Sequence, residues 1–424
     1  MDYQEYLEPP RKNKSNFGKG VAVGTLATLL VVTLTAGGIW LGVSAGSQRK
    51  VLSQNEESSR EAILEKSVEE KSGEIADLID QYYYEDVDEE ALVEGMYAGM
   101  VEGLGDPYSA YYTAEEYRAL TESTSGIYYG IGAVLTQNVN TKVVTILHVY
   151  PGTPAEEAGV KDGDVIVKVG DIEGDSMELS ELVTHIKGEE GTTVHLELLR
   201  SGELEHIQLD VERRQIEVPT VQSEMLEGQV GFIQISEFSE STPEQFSEAW
   251  KELENQGMES VIVDLRDNPG GVLQSVCAML DAILPKGLLV YTEDKYGSRS
   301  EYKSDAECTK LPMAVLINGN SASASEIFAG AIKDYEYGTL IGTTSFGKGI
   351  VQTIIPMEDG SAVKVTMAKY FTPKGNYIHG AGIEPDIELE YSYQEETEGE
   401  VYNPLHDNQV LKALEVLQKG ENSE

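Results

Sequence analysis

From Val218 onward, apolar strand-like runs alternate with stretches of helical spacing, and this alternation limits what the chain can fold into. The runs are Val230-Gly-Phe-Ile-Gln-Ile235, Ser260-Val-Ile-Val-Asp-Leu265, Met313-Ala-Val-Leu-Ile317 and Thr339-Leu-Ile-Gly342. Helices fit Pro243 to Gln256, Gly271 to Ile283 and Ala324 to Tyr335 between them. Strand, helix and strand repeated in this way imply βαβ units around a buried sheet. Ligand sites in such sheets gather at strand ends, which directs attention to the turns after Asp264 and Ile317.

Upstream the texture differs. Residues 126 to about 212 are rich in short strand runs, among them Val143 to Leu147, Val165 to Val169 and Val194 to Leu199, with turn signals at Asp162-Gly-Asp164 and Ser201-Gly202. Five or six strands with helices near Ala155 to Ala158 and Glu178 to Ile186 predict a small compact domain. Residues 55 to about 120 read as helical, with Ile75, Leu78, Ile79 and Tyr82, then Leu92, Met96 and Met100, at helical spacing. Thr113 with Glu116 forms a capping-box pattern. The tail from Tyr391 is acidic and ends in a short amphipathic helix, Asn408 to Leu417.

Residues 20 to 48 carry no charge, and Val21 to Val43 is strongly apolar. A helix of about 20 such residues spans a bilayer. Arg11, Lys12, Lys14 and Lys19 precede it and favour an N-inside orientation. Val43-Ser-Ala45 also resembles a signal-peptidase site, but the run is longer than a signal core, and an uncleaved anchor is the expectation. The organisation expected is then a cytoplasmic tail (1–20), a transmembrane helix (21–46), a helical region (55–122), a β-rich domain (123–212), a βαβ core (213–390) and a tail with a short helix (391–424).

The chain has 74 acidic and 31 basic side chains, a net charge of −43, and no basic stripe beyond the N-terminal tail. Nucleic-acid binding needs clustered Lys and Arg, so no nucleic-acid partner is expected. Cys277 and Cys308 are the two cysteines, too few for a disulfide framework or a metal site. The histidines form no H-E-x-x-H pattern, and a Ser-His-Asp arrangement would have to draw on His379 in a turn-like stretch.

Chemistry concentrates in Asn318-Gly-Asn-Ser-Ala-Ser-Ala-Ser-Glu326 and in Phe346-Gly-Lys-Gly349. Small residues let substrate approach Ser321, Ser323 or Ser325 at the start of a helix, and any of the three also suits a helix N-cap. Ala324 N–H, free at that helix start, suits an oxyanion. Lys348 follows 25 residues after Ser323. A lysine can replace histidine as general base, provided that burial brings its pKa from about 10.4 to near 7, worth about 4 kcal/mol. Alternation along a strand puts Gln352 on the face of Lys348, where a neutral amide would orient the amine without protonating it. Asp264-Leu-Arg-Asp-Asn-Pro-Gly-Gly271 offers Gly270 and Gly271 as second oxyanion donors, and no phosphate-loop pattern is present. Tyr129-Gly-Ile-Gly132 before a strand suits capture of a peptide carboxylate by backbone N–H groups.

Together these segments resemble the carboxyl-terminal processing peptidases, serine proteases with a PDZ domain inserted before the catalytic core. Leu104-Gly-Asp-Pro-Tyr-Ser109, Tyr129 to Gly132, Pro151-Gly-Thr-Pro-Ala155, Asp264 to Gly271, Ser321 to Glu326, Phe346 to Gly349, Tyr370-Phe-Thr-Pro373 and Gly382-Ile-Glu-Pro-Asp386 look like the family's motifs, in family order. The resemblance implies an α+β multidomain fold with a PDZ domain at 123–212 and a crotonase/Clp-protease-like core at 213–390. It implies Ser323 as nucleophile, Lys348 as base and Gln352 as its partner. Gly270 or Gly271, with Ala324, would form the oxyanion hole, and Tyr129, Gly130, Ile131 and Gly132 would bind peptide. Where the family commonly has Arg, this chain has Lys187, which keeps the charge but loses the bidentate fork, so gating by peptide is a weaker expectation.

The function expected is therefore a membrane-anchored, outward-facing serine endopeptidase that takes polypeptides with exposed C-termini and needs no metal or nucleotide. If the N-terminal segment were cleaved, the enzyme would be secreted. A homodimer through the terminal helices is expected from their apolar faces. The rivals are a catalytically silent PDZ scaffold and an esterase on the same nucleophile.

Overall fold

The computed structural model describes residues 67–305, 309–394 and 402–421. The apolar segment at 21–46 and Cys308 lie outside these residues. Among the described residues no helix is long and apolar enough to cross a membrane.

The core sheet has six strands in the order Val221–Leu226, Val230–Ile235, Ser260–Asp264, Met313–Ile317, Gly338–Gly342 and Ile387–Glu388. Only the first pair is antiparallel; the rest are parallel. Side chains alternate between the faces of a strand, and both faces are apolar here. Val261, Val263, Met313, Val315 and Ile317 pack under the helices Thr242–Asn255, Leu273–Ile283 and Ala324–Asp334. Ile262, Ala314, Leu316 and Ile341 pack on the other face against Val410, Ala413, Leu414 and Leu417 of the helix Asn408–Glu421. The apolar stripe of this last helix, read in sequence as a dimer contact, is thus consumed inside the chain. Cys277 is buried within Leu273–Ile283 and, among the described residues, has no disulfide partner.

A second sheet is built on the long strand Ala362–Phe371. Ile350–Pro356 lies along one edge of it, and Gly287–Asp294 along the other. Beside the latter, the short strand Ala110–Tyr112 pairs Ala110 with Lys364, Tyr111 with Val363 and Tyr112 with Ala362. This strand, absent from the helical pattern read over 55–120, joins the N-terminal region to the core. The helix Ala114–Ser125 that follows opens on a formed capping box, Thr113 with Glu116.

Residues 127–217 form the β-rich unit. Its main sheet runs Ala133–Gln137, Val144–Val149, Val165–Val169, Thr193–Leu199 and Ile207–Glu212, with Ile172–Glu173 attached. Ile127–Gly130 pairs separately with Arg214–Glu217, closing the unit where the chain enters and leaves it. Helices Pro154–Ala158 and Leu179–Ile186 cover a core of Val144, Ile146, Ile166, Leu182, Leu196 and Leu198.

Candidate active site

The three serines of the Asn318–Glu326 turn have different fates. Ser321 Oγ donates to Leu265 O at 2.7 Å, and Ser325 Oγ donates to Asn268 O at 2.9 Å. Both hydroxyls pin this turn to the Asp264–Gly271 turn. Ser323 Oγ is buried and meets no hydrogen-bond partner among the described residues. Its backbone sits at φ 57°, ψ −110°, just before the helix Ala324–Asp334. Few non-glycine residues adopt such angles, and holding one there costs about 1–3 kcal/mol. The surroundings that hold it are specific: Tyr370 Oη donates to Ser323 O at 3.2 Å, and Ser323 N–H donates to Glu326 Oε2 at 2.8 Å.

Glu326 also organises the lysine. Its Oε2 accepts from Lys348 N at 2.8 Å, and its Oε1 accepts from Gly347 N and Ser345 Oγ, each at 2.6 Å. One carboxylate oxygen therefore ties the backbones of Ser323 and Lys348 together. Burial pushes the Glu326 carboxyl up from its ordinary value, while the four donors oppose that rise.

Lys348 is 5% exposed. Its amine is brought down from 10.5 to about 8, by burial first and then by repulsion from Lys364; Glu326 and Asp106 act in the opposite sense. The ammonium lies 4.9 Å from the centre of the Tyr108 ring. Because Ser323 Oγ has no partner, the serine and the lysine are not hydrogen-bonded in this state; such contacts often tighten only with substrate. Gln352 is 1% exposed, and its Nε2 donates to Thr366 Oγ1 at 3.3 Å. A β-bulge falls between Val351 and Gln352, and Lys348 precedes the strand, so the simple alternation over 348, 350 and 352 does not describe how they are placed.

Gly270 lies against the serine turn. A Cβ on it would come within 2.6 Å of Ala322 O and 2.9 Å of Ala324 N, and its φ of 103° belongs to glycine. Its N–H donates to Asn268 Oδ1 at 2.8 Å. Gly271, at φ 143°, has no room for a Cβ either, since Phe238 O would be 2.1 Å away. Among the described residues, its N–H and that of Ala324, the first of its helix, meet no acceptor.

The residues expected to capture peptide lie elsewhere, in the β-rich unit. Gly130 and Ile131 line a groove of about 260 Å³ between Ala133–Gln137 and Leu179–Ile186, walled by Leu135, Leu179, Val183 and Ile186. The Tyr129 side chain is 42% exposed and outside this lining; Tyr128 points in instead. Gly132, at φ 86°, presses against Thr153, whose hydroxyl donates to Tyr150 O at 2.6 Å. Lys187 ends the groove. Its ammonium is paired with Glu122 at 2.7 Å and stands 5.0 Å from the Tyr128 ring centre. A larger cavity, about 830 Å³, opens beside Arg266, Tyr391 and Tyr402, and neither Ser323 nor Lys348 lines it.

Several contributors were not singled out in the sequence. Glu326 appears there only as the end of the serine segment, with no role assigned. Asp106, Tyr108 and Thr366 are too distant in sequence to associate with Lys348. Arg266, in the Asp264–Gly271 turn, is locked by Asp264 at 2.6 Å and Asp407 at 2.7 Å.

Comparison with known proteins gives the family of the chain. The model of Peptidase family S41 matches residues 229–389, a PDZ domain model matches 145–200, and a model described as the activating protease CtpB N-terminal domain matches 32–116. Carboxy-terminal processing protease CtpA of Bacillus subtilis is 42% identical over 313 residues, 73% of this chain and 66% of that protein. CtpB of the same organism is 36% identical over 81% of this chain and 73% of its own length. The chain thus spans about two thirds of the first of these relatives and somewhat more of the second. Among solved structures, a photosystem II D1 C-terminal processing protease shares 30% identity over 74% of this chain and 86% of its own, with a TM-score of 0.44. The chain belongs to peptidase family S41, with the carboxy-terminal processing serine proteases as its relatives.

Proposed function

We propose that this protein is a serine endopeptidase that captures polypeptide C-termini in its PDZ groove and cleaves through Ser323 and Lys348. The observation that carries the reading is that Ser323, with a buried unpartnered hydroxyl on a strained backbone, and Lys348, a buried lysine whose amine is brought down to about 8, are both anchored on Glu326. In the reaction, Ser323 Oγ attacks the scissile carbonyl carbon as Lys348 Nζ takes the hydroxyl proton. The carbonyl oxygen becomes an oxyanion between the N–H groups of Gly271 and Ala324, the two not already engaged. Collapse breaks the C–N bond, and the Lys348 ammonium protonates the departing amine. Water, deprotonated by the neutral lysine, then hydrolyses the acyl-enzyme and frees Ser323. The carboxyl end of an extended chain would enter along Ala133–Gln137, with its last side chain against Leu179, Val183 and Ile186.

The crotonase/Clp-like reading of the core, the uncleaved membrane anchor at 21–46 and the extracytoplasmic placement belong to the same proposal. They rest on sequence pattern and family resemblance. Homodimerisation through the N-terminal helices rests on Ile75, Leu78, Tyr82, Met96 and Met100, which are 47%, 49%, 74%, 47% and 62% exposed.

Degradation of an unfolded protein tests the catalytic reading, with Ser323→Ala and Lys348→Ala alongside. Each substitution is expected to lower turnover by at least about 10³-fold. Activity that survives Ser323→Ala would assign the nucleophile elsewhere. Hydrolysis of simple esters but not peptides would favour the esterase.

A further inference from the structure

We propose that Asp106 is a positioning residue of the catalytic centre, acting through Thr366 to fix which way the Gln352 amide points so that its carbonyl oxygen serves Lys348. The proposal rests on the reading of Lys348 as base and Gln352 as its partner. Asp106 lies in the Gly105-Asp-Pro-Tyr-Ser109 turn, far from the core in sequence. The register of Ala110–Tyr112 against Ala362–Lys364 carries that turn to the catalytic sheet.

The hydrogen bonds have an enforced direction. Asp106 Oδ1 accepts from Tyr108 N at 3.1 Å, and Oδ2 accepts from Ser109 Oγ and Thr366 Oγ1, each at 2.6 Å. Ser109 Oγ in turn accepts from Thr366 N at 3.1 Å. Partial burial works against the Asp106 charge, but Ser109, Thr366, the Tyr108 N–H and the charge of Lys348 together hold the carboxyl below its ordinary value. An ionised carboxylate only accepts, so the single proton of the Thr366 hydroxyl is committed to it. Thr366 can then only accept from its cross-strand neighbour Gln352, 3.3 Å away. An amide nitrogen only donates. The NH2 end of Gln352 is therefore held at Thr366, and its carbonyl oxygen is left for an ammonium. Without the carboxylate, the threonine could donate as well as accept, and either end of the amide would suit it.

The same turn places the Tyr108 ring over the Lys348 ammonium, with His379 at the ring edge, 6.4 Å between centroids. The charges facing Lys348 are thus Asp106 and Glu326, which favour its protonated form, and Lys364, which opposes it.

The test is a kcat and KM profile against pH for the full chain on an unfolded protein, comparing the parent with Asp106→Asn, Thr366→Val, Thr366→Ser and Ser323→Ala. Asp106→Asn is expected to lower kcat at least tenfold with KM within about twofold, and to move the rising limb to lower pH by removing a negative charge beside Lys348. Thr366→Val should match the loss in kcat with less movement of the limb, and Thr366→Ser should recover most of it. Parental kcat and limb in Asp106→Asn, or Thr366→Ser as impaired as Thr366→Val, would overturn the proposal. If thermal melts show that Asp106→Asn does not fold, the two Thr366 variants decide. Activity surviving in Ser323→Ala would instead strike the catalytic reading beneath it, and the two failures remain distinct.

Discussion

Ser323 and Lys348 are each held in a form that the residue would not choose alone. The serine sits at a positive φ with a buried, unpartnered hydroxyl. The lysine is buried, which disfavours its charge. A base must be neutral to act, and with its amine near 8 the neutral fraction of Lys348 at pH 7 is about a tenth. We expect kcat/KM to rise roughly tenfold per pH unit below about 8 and to level off above it. A flat profile from pH 5 to 9 would remove Lys348 as the base. The lowered pKa also implies a cost to folding. In the unfolded chain the amine stays protonated up to about 10.4. The penalty is therefore full below about 8 and fades as pH rises from there toward 10.5. Lys348→Met should be inactive yet melt higher than the parent at pH 7, with a gain of about 1–3 kcal/mol that shrinks above pH 8. A variant less stable than the parent would mean that the contacts of the lysine outweigh its desolvation.

At the scale of the element, the first turn of Ala324–Asp334 does two jobs. It leaves Ala324 N–H free for the oxyanion of the proposed reaction, and through Glu326 it receives Ser323, Ser345, Gly347 and Lys348. Glu326→Ala would leave those three N–H groups and one hydroxyl without their acceptor, each buried orphan costing about 1–3 kcal/mol before relaxation. Activity should fall at least about 100-fold, and the melting temperature should drop by several degrees. Parental activity with lowered stability would reduce Glu326 to a structural cap. This element also marks where sequence reading stops. Small residues before a helix and a glycine-flanked lysine are visible in the chain. Which serine keeps its hydroxyl free is not, because that depends on Leu265 O and Asn268 O, more than fifty positions away, claiming Ser321 and Ser325. A glutamate three residues into a helix looks like ordinary capping. The bulge before Gln352 defeats a period-two argument in the one strand where it was used.

For the whole molecule, strand and helix alternation made the parallel core legible, since apolar residues at consecutive strand positions leave few alternatives to a sheet covered on both faces. The cover on the second face was less legible. An amphipathic C-terminal helix has the same pattern whether its stripe meets its own sheet or another chain, and here it meets its own. The N-terminal helices are different, because Leu78, Tyr82 and Met100 remain exposed. We expect the chain beyond residue 50 to run in solution with twice its monomer mass, and Leu78→Glu with Met96→Glu to return it to one. A parent already monomeric would sink the dimer.

The pairing of Ala110–Tyr112 with Ala362–Lys364 also bears on timing. A ribosome makes Asp106 and Tyr108 some 240 residues before Lys348. During synthesis, the early segment must wait for the strand that will receive it. A chain released before Ala362–Lys364 is made holds Asp106 and Tyr108 but not the strand that receives them, so the site that we propose is complete only when these two distant segments have met.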